Sequence, residues 1–140
     1  MKQEDISEWF KEHDIAEIEV IVPDMAGVAR GKMLPAEKFL EQSTMRLPES
    51  VFTQTVTGEF LNEPVINPAD RDILVRPDMD TLRQLPWAKD PAATVINDCY
   101  YEDGSAVDIS PRQVLKNVLN AYEALNMVPI VAPELEFYLV

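Results

Sequence analysis

The residues most suited to chemistry are two glutamates in the last segment of the sequence, APELEFYLV. Glu134 and Glu136 stand among apolar residues typical of a β-strand, where carboxylates are uncommon. Because side chains alternate along a strand, both would point to one face, with Cα atoms about 6 to 7 Å apart. Each could bind one of a pair of hard cations such as Mg²⁺ or Mn²⁺, with further ligands supplied from elsewhere.

A structural role for this pair is the alternative. Acidic side chains on the solvent-facing side of an edge strand discourage sheets of different molecules from pairing. The tripeptide E-x-E is common, so the spacing alone favours this edge-strand interpretation over a metal site.

The preceding helix must position the pair. The stretch DISPRQVLKNVLNAYEALNM has an apolar period near 3.6 and predicts an amphipathic helix. Ser110 is the predicted N-cap, Pro111 the first helical residue and Gln113 the partner in a capping box. Asn126 can end the helix in the left-handed conformation. The predicted apolar face consists of Val114, Leu115, Val118, Leu119, Tyr122 and Leu125.

The earlier part of the chain predicts a hairpin, a short helix and several strands. Apolar residues at Ile18, Val20 and Val22 alternate along a strand, and residues 28–33 can return antiparallel to it. A helix is predicted at residues 5–13, with Asp5 as N-cap and Ile6, Trp9 and Phe10 on one face, and another begins at Pro35. Further strands are predicted at 50–56, 72–78, 81–87 and 93–101, with a long surface loop over 58–72.

Composition limits the classes of protein to be considered. The chain has 140 residues, 46% of them hydrophobic, and a formal charge of −13. This charge repels phosphate groups and argues against nucleic acid or anionic membranes as partners. We find no apolar run long enough for a membrane span and no signal-peptide pattern, so we expect a cytoplasmic protein. Cys99, the single cysteine, is expected to be a small buried hydrophobe.

Three pieces of the sequence together resemble the glutamine synthetase family. A D-x-x-G-x-x-R-G-K pattern is complete in PDMAGVARGKMLP, the helix opens with SPRQVLKNVL, and PELEFYL follows it. The pattern residues are Asp24, Gly27, Arg30, Gly31 and Lys32. The residue types alone favour a structural role for Arg30, Gly31 and Lys32, with Gly31 relieving a β-bulge.

The resemblance implies an α+β fold. Residues 1–107 would form a β-grasp (ubiquitin-like) amino-terminal domain, and 108–140 the first helix and strand of a catalytic domain that is truncated here. Glu134 and Glu136 would be metal ligands, one for each of two Mg²⁺ or Mn²⁺ sites. No nucleotide-binding residue is expected within these 140 residues, so we expect them to be inactive alone.

The activity implied is an ATP-dependent amide synthesis. Glutamate would be phosphorylated on its γ-carboxylate, and ammonia or an amine would then displace phosphate. Metal ions would neutralise the triphosphate and the attacking carboxylate, which otherwise repel each other. The resemblance also implies a homo-oligomeric ring in which this domain closes the active site of a neighbouring subunit.

One position departs from the family pattern. Thr55 stands where the family usually has an aspartate that binds ammonium, and a neutral hydroxyl cannot stabilise a cation as a carboxylate does. We therefore expect either a larger amine as acceptor, as in the glutamate-polyamine ligase branch, or replacement of the aspartate by Glu59 or Glu63. The catalytic residues are otherwise unknown.

Two other hypotheses stay open. One is a free-standing β-grasp interaction module, in which the last strand must pair within the chain. The other is a non-catalytic homologue that senses glutamate or amines. In a truncated enzyme, by contrast, the last strand would be loose or would pair with a second copy.

Overall fold

An alternating strand lies near the centre of the fold. In a computed structural model, which describes residues 3–60 and 69–140, β1 (Glu17–Pro23) buries Ile18, Val20 and Val22 on one face, as its period of two predicts. β2 (Ala29–Pro35) returns antiparallel in an uninterrupted register from Glu17↔Pro35 to Pro23↔Ala29. The predicted hairpin is therefore confirmed.

The bulge predicted at Gly31 is wrong, and a close backbone approach takes its place. A Cβ atom at Gly31 would lie 2.0 Å from the carbonyl oxygen of Val20. No side chain fits there. Glycine is therefore required because the two backbones approach closely, and not because the strand contains a bulge.

The remaining strands form a mixed sheet around β6 (Ala92–Tyr100). The first half of β6 pairs parallel with β1 on one side and antiparallel with the short β5 (Arg83–Gln84) on the other. Its second half pairs antiparallel with β4 (Asp72–Pro77), which pairs with β3 (Met45–Pro48). The strand order is β2-β1-β6-β4-β3. The α+β expectation is confirmed, although β3 was not predicted and only two residues of 81–87 form a strand.

Two helices cover one end of the buried face of the sheet. α1 (Gln3–Glu12) and α2 (Ala36–Glu41) pack Ile6, Phe10 and Phe39 against β1 and β6. The α2 prediction is confirmed, with Pro35 directly before it. The N-cap predicted at Asp5 is wrong, because Asp5 lies inside the first turn of α1, where a carboxylate also complements the helix dipole.

A 3₁₀-helix, Glu49–Thr53, covers the other end, where strand 50–56 was predicted. Val51 and Phe52 are adjacent in sequence and both buried, which a strand with one buried face does not allow. Their β-branched and aromatic character misled the prediction. Of the predicted loop 58–72, residues 61–68 lie outside the described residues.

α3 (Pro111–Ala124) begins as predicted, with Ser110 at the N-cap and Pro111 in the first turn. The capping box is wrong, because the Ser110 side chain makes no cap hydrogen bond and Gln113 donates to Asn117 instead. Asn126 has the predicted positive φ, 55°. All six residues of the predicted apolar face of α3 are exposed.

The segment after α3 forms no regular structure. Residues 127–140 have neither helix nor strand assigned, so the strand that the sequence predicts around Glu134 and Glu136 is absent here. Its apolar side chains, Leu135, Phe137, Tyr138, Leu139 and Val140, are exposed. A strand needs a neighbour for its backbone groups, and in the described part of the chain residues 134–140 pair with none. Among the described helices none is long and apolar enough to cross a membrane.

Candidate functional site

The D-x-x-G-x-x-R pattern folds into a turn organised by one carboxylate. The side chain of Asp24 is fully buried, and its Oδ1 accepts hydrogen bonds from the backbone N–H groups of Ala26 (2.9 Å) and Val28 (2.8 Å). Its Oδ2 accepts from Arg30 Nε at 2.7 Å. Gly27 has φ 77°, which suits the turn. Every residue named by the pattern from Asp24 to Arg30 therefore has a local structural reason.

These hydrogen bonds decide the ionisation of Asp24. Burial alone would raise the pKa of Asp24, but the hydrogen bonds from Arg30, Val28 and Ala26 outweigh it and the pKa lies below its usual value of 3.8. The charged form is thus the stable one, and it holds the guanidinium of Arg30 in a fixed orientation.

Arg30 also reaches a second turn, 25 residues away in sequence. Its Nη2 donates a hydrogen bond of 2.9 Å to the backbone carbonyl oxygen of Thr55. One guanidinium therefore joins the β1–β2 turn to the segment that contains Thr55, the position where the family usually has an aspartate. The fork of an arginine can do this because its donors lie in one plane and point to two acceptors.

The turn from Thr55 to Glu59 is closed by its own backbone. Thr55 N–H donates to Glu59 O at 2.9 Å, and Gly58 N–H donates to Thr55 O at 2.9 Å. Gly58 has φ 86°, a conformation that favours glycine. The side chains of Val56, within this turn, and of Phe60, directly after it, are exposed. This segment, which we call the Thr55 turn, presents the hydroxyls of Thr55 and Thr57, the carboxylate of Glu59 and the apolar side chain of Val56.

The Thr55 hydroxyl already has partners. It accepts from the backbone N–H of Glu59 at 3.1 Å and shares a hydrogen bond of 2.9 Å with Thr57 Oγ1. Glu59 Oε2 lies 3.4 Å from Thr57 Oγ1 and is exposed. Glu59 thus lies beside Thr55, as one of our two alternatives requires, whereas Glu63 lies outside the described residues.

The structure does not bring Glu134 and Glu136 into a cluster. Both are exposed in residues 127–140. Within residues 3–60 and 69–140, no group of three or more His, Cys, Asp or Glu side chains could hold a metal ion. The chemistry of the pair suits a hard cation, since both groups are carboxylates. Two carboxylates supply too few oxygens to enclose such an ion.

A charged cluster that sequence reasoning missed joins α3 to the sheet. Arg112 Nε lies 3.0 Å from Asp98 Oδ1, and its Nη2 also bonds Asp78 Oδ2. Lys116 Nζ lies 2.5 Å from Asp98 Oδ2. Burial would raise the pKa of Asp98, but Lys116 and Arg112 lower it below the usual value. The i, i+4 spacing of Arg112 and Lys116 on the helix was the available signal.

A second cluster was also missed, and it fixes the 3₁₀-helix. Tyr101 OH donates to Glu49 Oε1 at 2.6 Å, Arg71 Nε lies 3.0 Å from Glu49 Oε2, and the Arg71 guanidinium stacks 3.7 Å from the centre of the Tyr101 ring. Ser50 donates to Asp70 through both N–H and Oγ. No spacing rule links residues this far apart, so the sequence carried no usable signal.

Cys99 is buried, as predicted. Burial raises the pKa of its thiol to about 12, and a hydrogen bond with Ser110 offsets this only in part. It is therefore not an activated nucleophile.

The sequence is similar to several ligases over nearly its whole length. It is 29% identical to a glutamate–isopropylamine ligase of a Pseudomonas species over 96% of this chain and 30% of the relative. It is 31% identical to the γ-glutamylputrescine synthetase PuuA of Escherichia coli over 87% of this chain and 26% of the relative. A γ-glutamylethanolamide synthetase, GlnA4 of Streptomyces coelicolor, is 32% identical over 89% of this chain and 28% of its own length. No family model matches.

Solved structures agree with the sequence matches. A structure described as a GmaS/ADP complex has a TM-score of 0.69 and 25% identity, covering 86% of this chain and 26% of its own. Another, described as a novel glutamine synthase homolog, has a TM-score of 0.70 at 17% identity over 79% of this chain and 27% of its own, which shows the fold alone. The chain spans somewhat under a third of the length of the curated relatives it matches. A glutamine synthetase of Rhizobium meliloti is 32% identical over 97% of this chain and 29% of its own length, and the chain therefore belongs to the glutamine synthetase family.

Proposed function

We propose that this chain is the amino-terminal part of an ATP-dependent ligase that joins the γ-carboxylate of glutamate to ammonia or an amine. The observation that carries the proposal is the match over 87 to 96% of the chain to relatives named as glutamate–amine ligases or γ-glutamylamide synthetases. The chain matches under a third of the length of those enzymes. Catalysis therefore belongs to a longer polypeptide, and we expect residues 1–140 to be inactive alone.

Two parts with different tasks make up the chain in this proposal. Residues 1–107 are an amino-terminal domain, and 108–140 begin the catalytic domain. Burial supports the division. The buried residues of the two apolar clusters all lie at or before Val107, whereas α3 has no buried residue. A β-grasp fold for the first part is supported by the hairpin, the helix that follows it, and the parallel pairing of β1 with β6.

Glu134 and Glu136 are the proposed ligands of two Mg²⁺ or Mn²⁺ ions. Their carboxylates have the right chemistry, and both are exposed and thus open to further groups. When bound, such ions would neutralise the negative charge of ATP and of the substrate carboxylate. The remaining ligands must come from residues outside this chain or from the phosphates. The exposed apolar side chains of 134–140 are consistent with a strand that packs and pairs in the longer polypeptide.

The acceptor is proposed to be an amine larger than ammonia. Thr55 carries no charge, and its hydroxyl is engaged with Glu59 N–H and Thr57. It cannot hold an ammonium ion as an aspartate would. The exposed Val56 on the same turn and Phe60 directly after it offer apolar contact for an alkyl chain, and Glu59 offers a carboxylate for a second amino group. In a ring oligomer this turn would serve the active site of the neighbouring subunit.

The experiment is an acceptor panel with the longer polypeptide. Phosphate release and amide formation are measured with ATP, glutamate, Mg²⁺ or Mn²⁺, and one of ammonia, isopropylamine, putrescine or ethanolamine. We expect at least one alkylamine to give a higher kcat/KM than ammonia. A preference for ammonia would overturn the acceptor assignment. If no acceptor gives an amide, the proposal that the protein is a ligase is overturned.

Single substitutions of the two glutamates test the metal assignment. E134A and E136A should each reduce turnover by at least about 100-fold, since a metal ligand is lost. The matched control is Glu123→Ala, an exposed glutamate on α3. Turnover equal to the unmutated enzyme in either E134A or E136A would refute the assignment.

A further inference from the structure

We infer that Arg30 is a positioning residue that orders the Thr55 turn and thereby sets the affinity for the acceptor amine. The inference deepens the proposed function and rests on it for the identity of the acceptor. Arg30 itself need not touch a substrate, because its contacts are with Asp24 and with the carbonyl oxygen of Thr55.

The ion pair with Asp24 fixes one side of the Arg30 guanidinium. Asp24 is fully buried, and three donors fix its carboxylate. The side chain of Arg30 is 21% exposed, so the ion pair is largely screened from water. The Nε–Oδ2 distance of 2.7 Å is that of a charge-assisted hydrogen bond. The guanidinium therefore has little freedom to rotate.

The second step is that, among residues 3–60 and 69–140, the Thr55 turn has few other anchors. Most of its hydrogen bonds join one residue of the turn to another, between positions 55 and 59. The bridge between Gln54 and Phe60 closes its base. Of the hydrogen bonds that the structure gives for Thr55, Arg30 Nη2 supplies the one from outside the turn. Loss of that donor should let the turn move as a unit without opening the sheet.

The third step is that the bridge requires an arginine. Nε and Nη2 of one planar group reach two acceptors on different segments. A lysine has one nitrogen and can keep the partner at Asp24 but not Thr55 at the same time. R30K therefore separates the two contacts, whereas R30M removes both.

Amide hydrogen exchange on the 140-residue chain tests the ordering. In R30K, exchange at Gly58 and Glu59 should accelerate about tenfold, the loss of roughly one hydrogen bond, while Ala26 and Val28 stay protected. In R30M all four amides should accelerate. The matched control is R46M, because Arg46 also forms a 2.7 Å ion pair, with Glu102, away from the turn. Its Gly58 and Glu59 amides should exchange as in the unmutated chain.

Amide exchange in the sheet distinguishes a local effect on the turn from a global loss of stability. Amides of β6 should exchange at unchanged rates in R30K. Acceleration throughout β6 to the same extent as at Gly58 would mean that Arg30 merely stabilises the fold, and unchanged exchange at Gly58 and Glu59 would mean that it does not order the turn. Either result would overturn the inference.

Kinetics of the longer polypeptide test the link to the acceptor. R30K should raise KM for the amine at least about fivefold, with KM for ATP and for glutamate within about twofold of the unmutated values. An equal rise in all three KM values, or none, overturns the link. If the unmutated enzyme forms no amide, the proposed function fails and the acceptor link falls with it, whereas the exchange results still decide the ordering.

Discussion

Arg112 and Asp98 join α3 to the central strand of the sheet, with Nε and Oδ1 3.0 Å apart. The other oxygen of the same carboxylate bonds Lys116, one turn further along the helix. The apolar side chains of α3 are exposed. In the described part of the chain, α3 is thus held to the sheet mainly by charge rather than by apolar burial.

Removal of Arg112 should loosen α3 and destabilise the chain. R112M leaves Asp78 without this partner and Asp98 with Lys116 alone, and these carboxylates are 29% and 18% exposed. We expect the free energy of unfolding to fall by about 1–3 kcal/mol. Urea denaturation followed by circular dichroism measures the change.

An exposed ion pair provides the control for R112M. Lys38 and Glu41 lie 3.9 Å apart with both side chains more than half exposed. K38M should therefore change the free energy of unfolding by less than about 0.5 kcal/mol. Equal effects of K38M and R112M would contradict the role given to Arg112.

Asp24 should make stability depend on pH in the acid range. Its folded pKa is below the 3.8 of the unfolded chain, despite burial, because of Arg30 and the Val28 and Ala26 amides. The charged carboxylate therefore stabilises the fold fully above the unfolded pKa, and this contribution is lost as the pH falls from about 3.8 through the folded pKa.

The variant D24N measures this contribution. It should be about 2 kcal/mol less stable than the unmutated chain between pH 5 and 7, and the difference should shrink below about pH 4. The control is D80N, since Asp80 is an exposed carboxylate. A difference that stays constant from pH 7 to pH 3 would show that charge on Asp24 is not its cause.

Gly31 should tolerate no side chain. A Cβ atom there would lie 2.0 Å from Val20 O, so G31A must displace β1 from β2. We expect a loss of about 3 kcal/mol or more, at the upper end for overpacking. G104A is the comparison, since its site has open space and only the cost of φ 85°, about 1–2 kcal/mol. Thermal melts that rank G104A as the more damaging change would contradict this explanation.

Manganese should bind the 140-residue chain only weakly. Glu134 and Glu136 offer two carboxylates, whereas such ions take about six ligands, so we expect a Kd no tighter than about 0.1 mM. Titration calorimetry of the chain and of the double variant E134A/E136A measures the difference. Submicromolar binding that survives the double substitution would place the ion elsewhere.

Periodic elements were the ones that could be predicted from sequence. β1, β6 and α3 have clear repeats of two or 3.6 residues, and each lies within a residue or two of its predicted bounds. The strand predicted at 50–56 failed because contacts between distant residues decide that segment. The bonds from Ser50 to Asp70 and from Tyr101 to Glu49 fix a 3₁₀-helix there.

The candidate site shows the same limit. The turn pattern was visible because Asp24 and Arg30 are six residues apart, within one hairpin. The bond from Arg30 to Thr55 was not, because α2, β3 and the 3₁₀-helix separate the two residues and no repeat relates their positions. The role of Glu134 and Glu136 stays a prediction, since it depends on ligands outside this chain.

Cys99 gives the chain a built-in reporter of opening. Its thiol is buried in one apolar cluster with Val107, it forms a hydrogen bond with Ser110, and its pKa is raised to about 12, so almost no thiolate exists at neutral pH. A thiol reagent can modify Cys99 only when β6 separates from the residues that pack against it. Because the sequence has one cysteine, the labelling rate of the unmodified protein reports that separation directly, with no engineered probe.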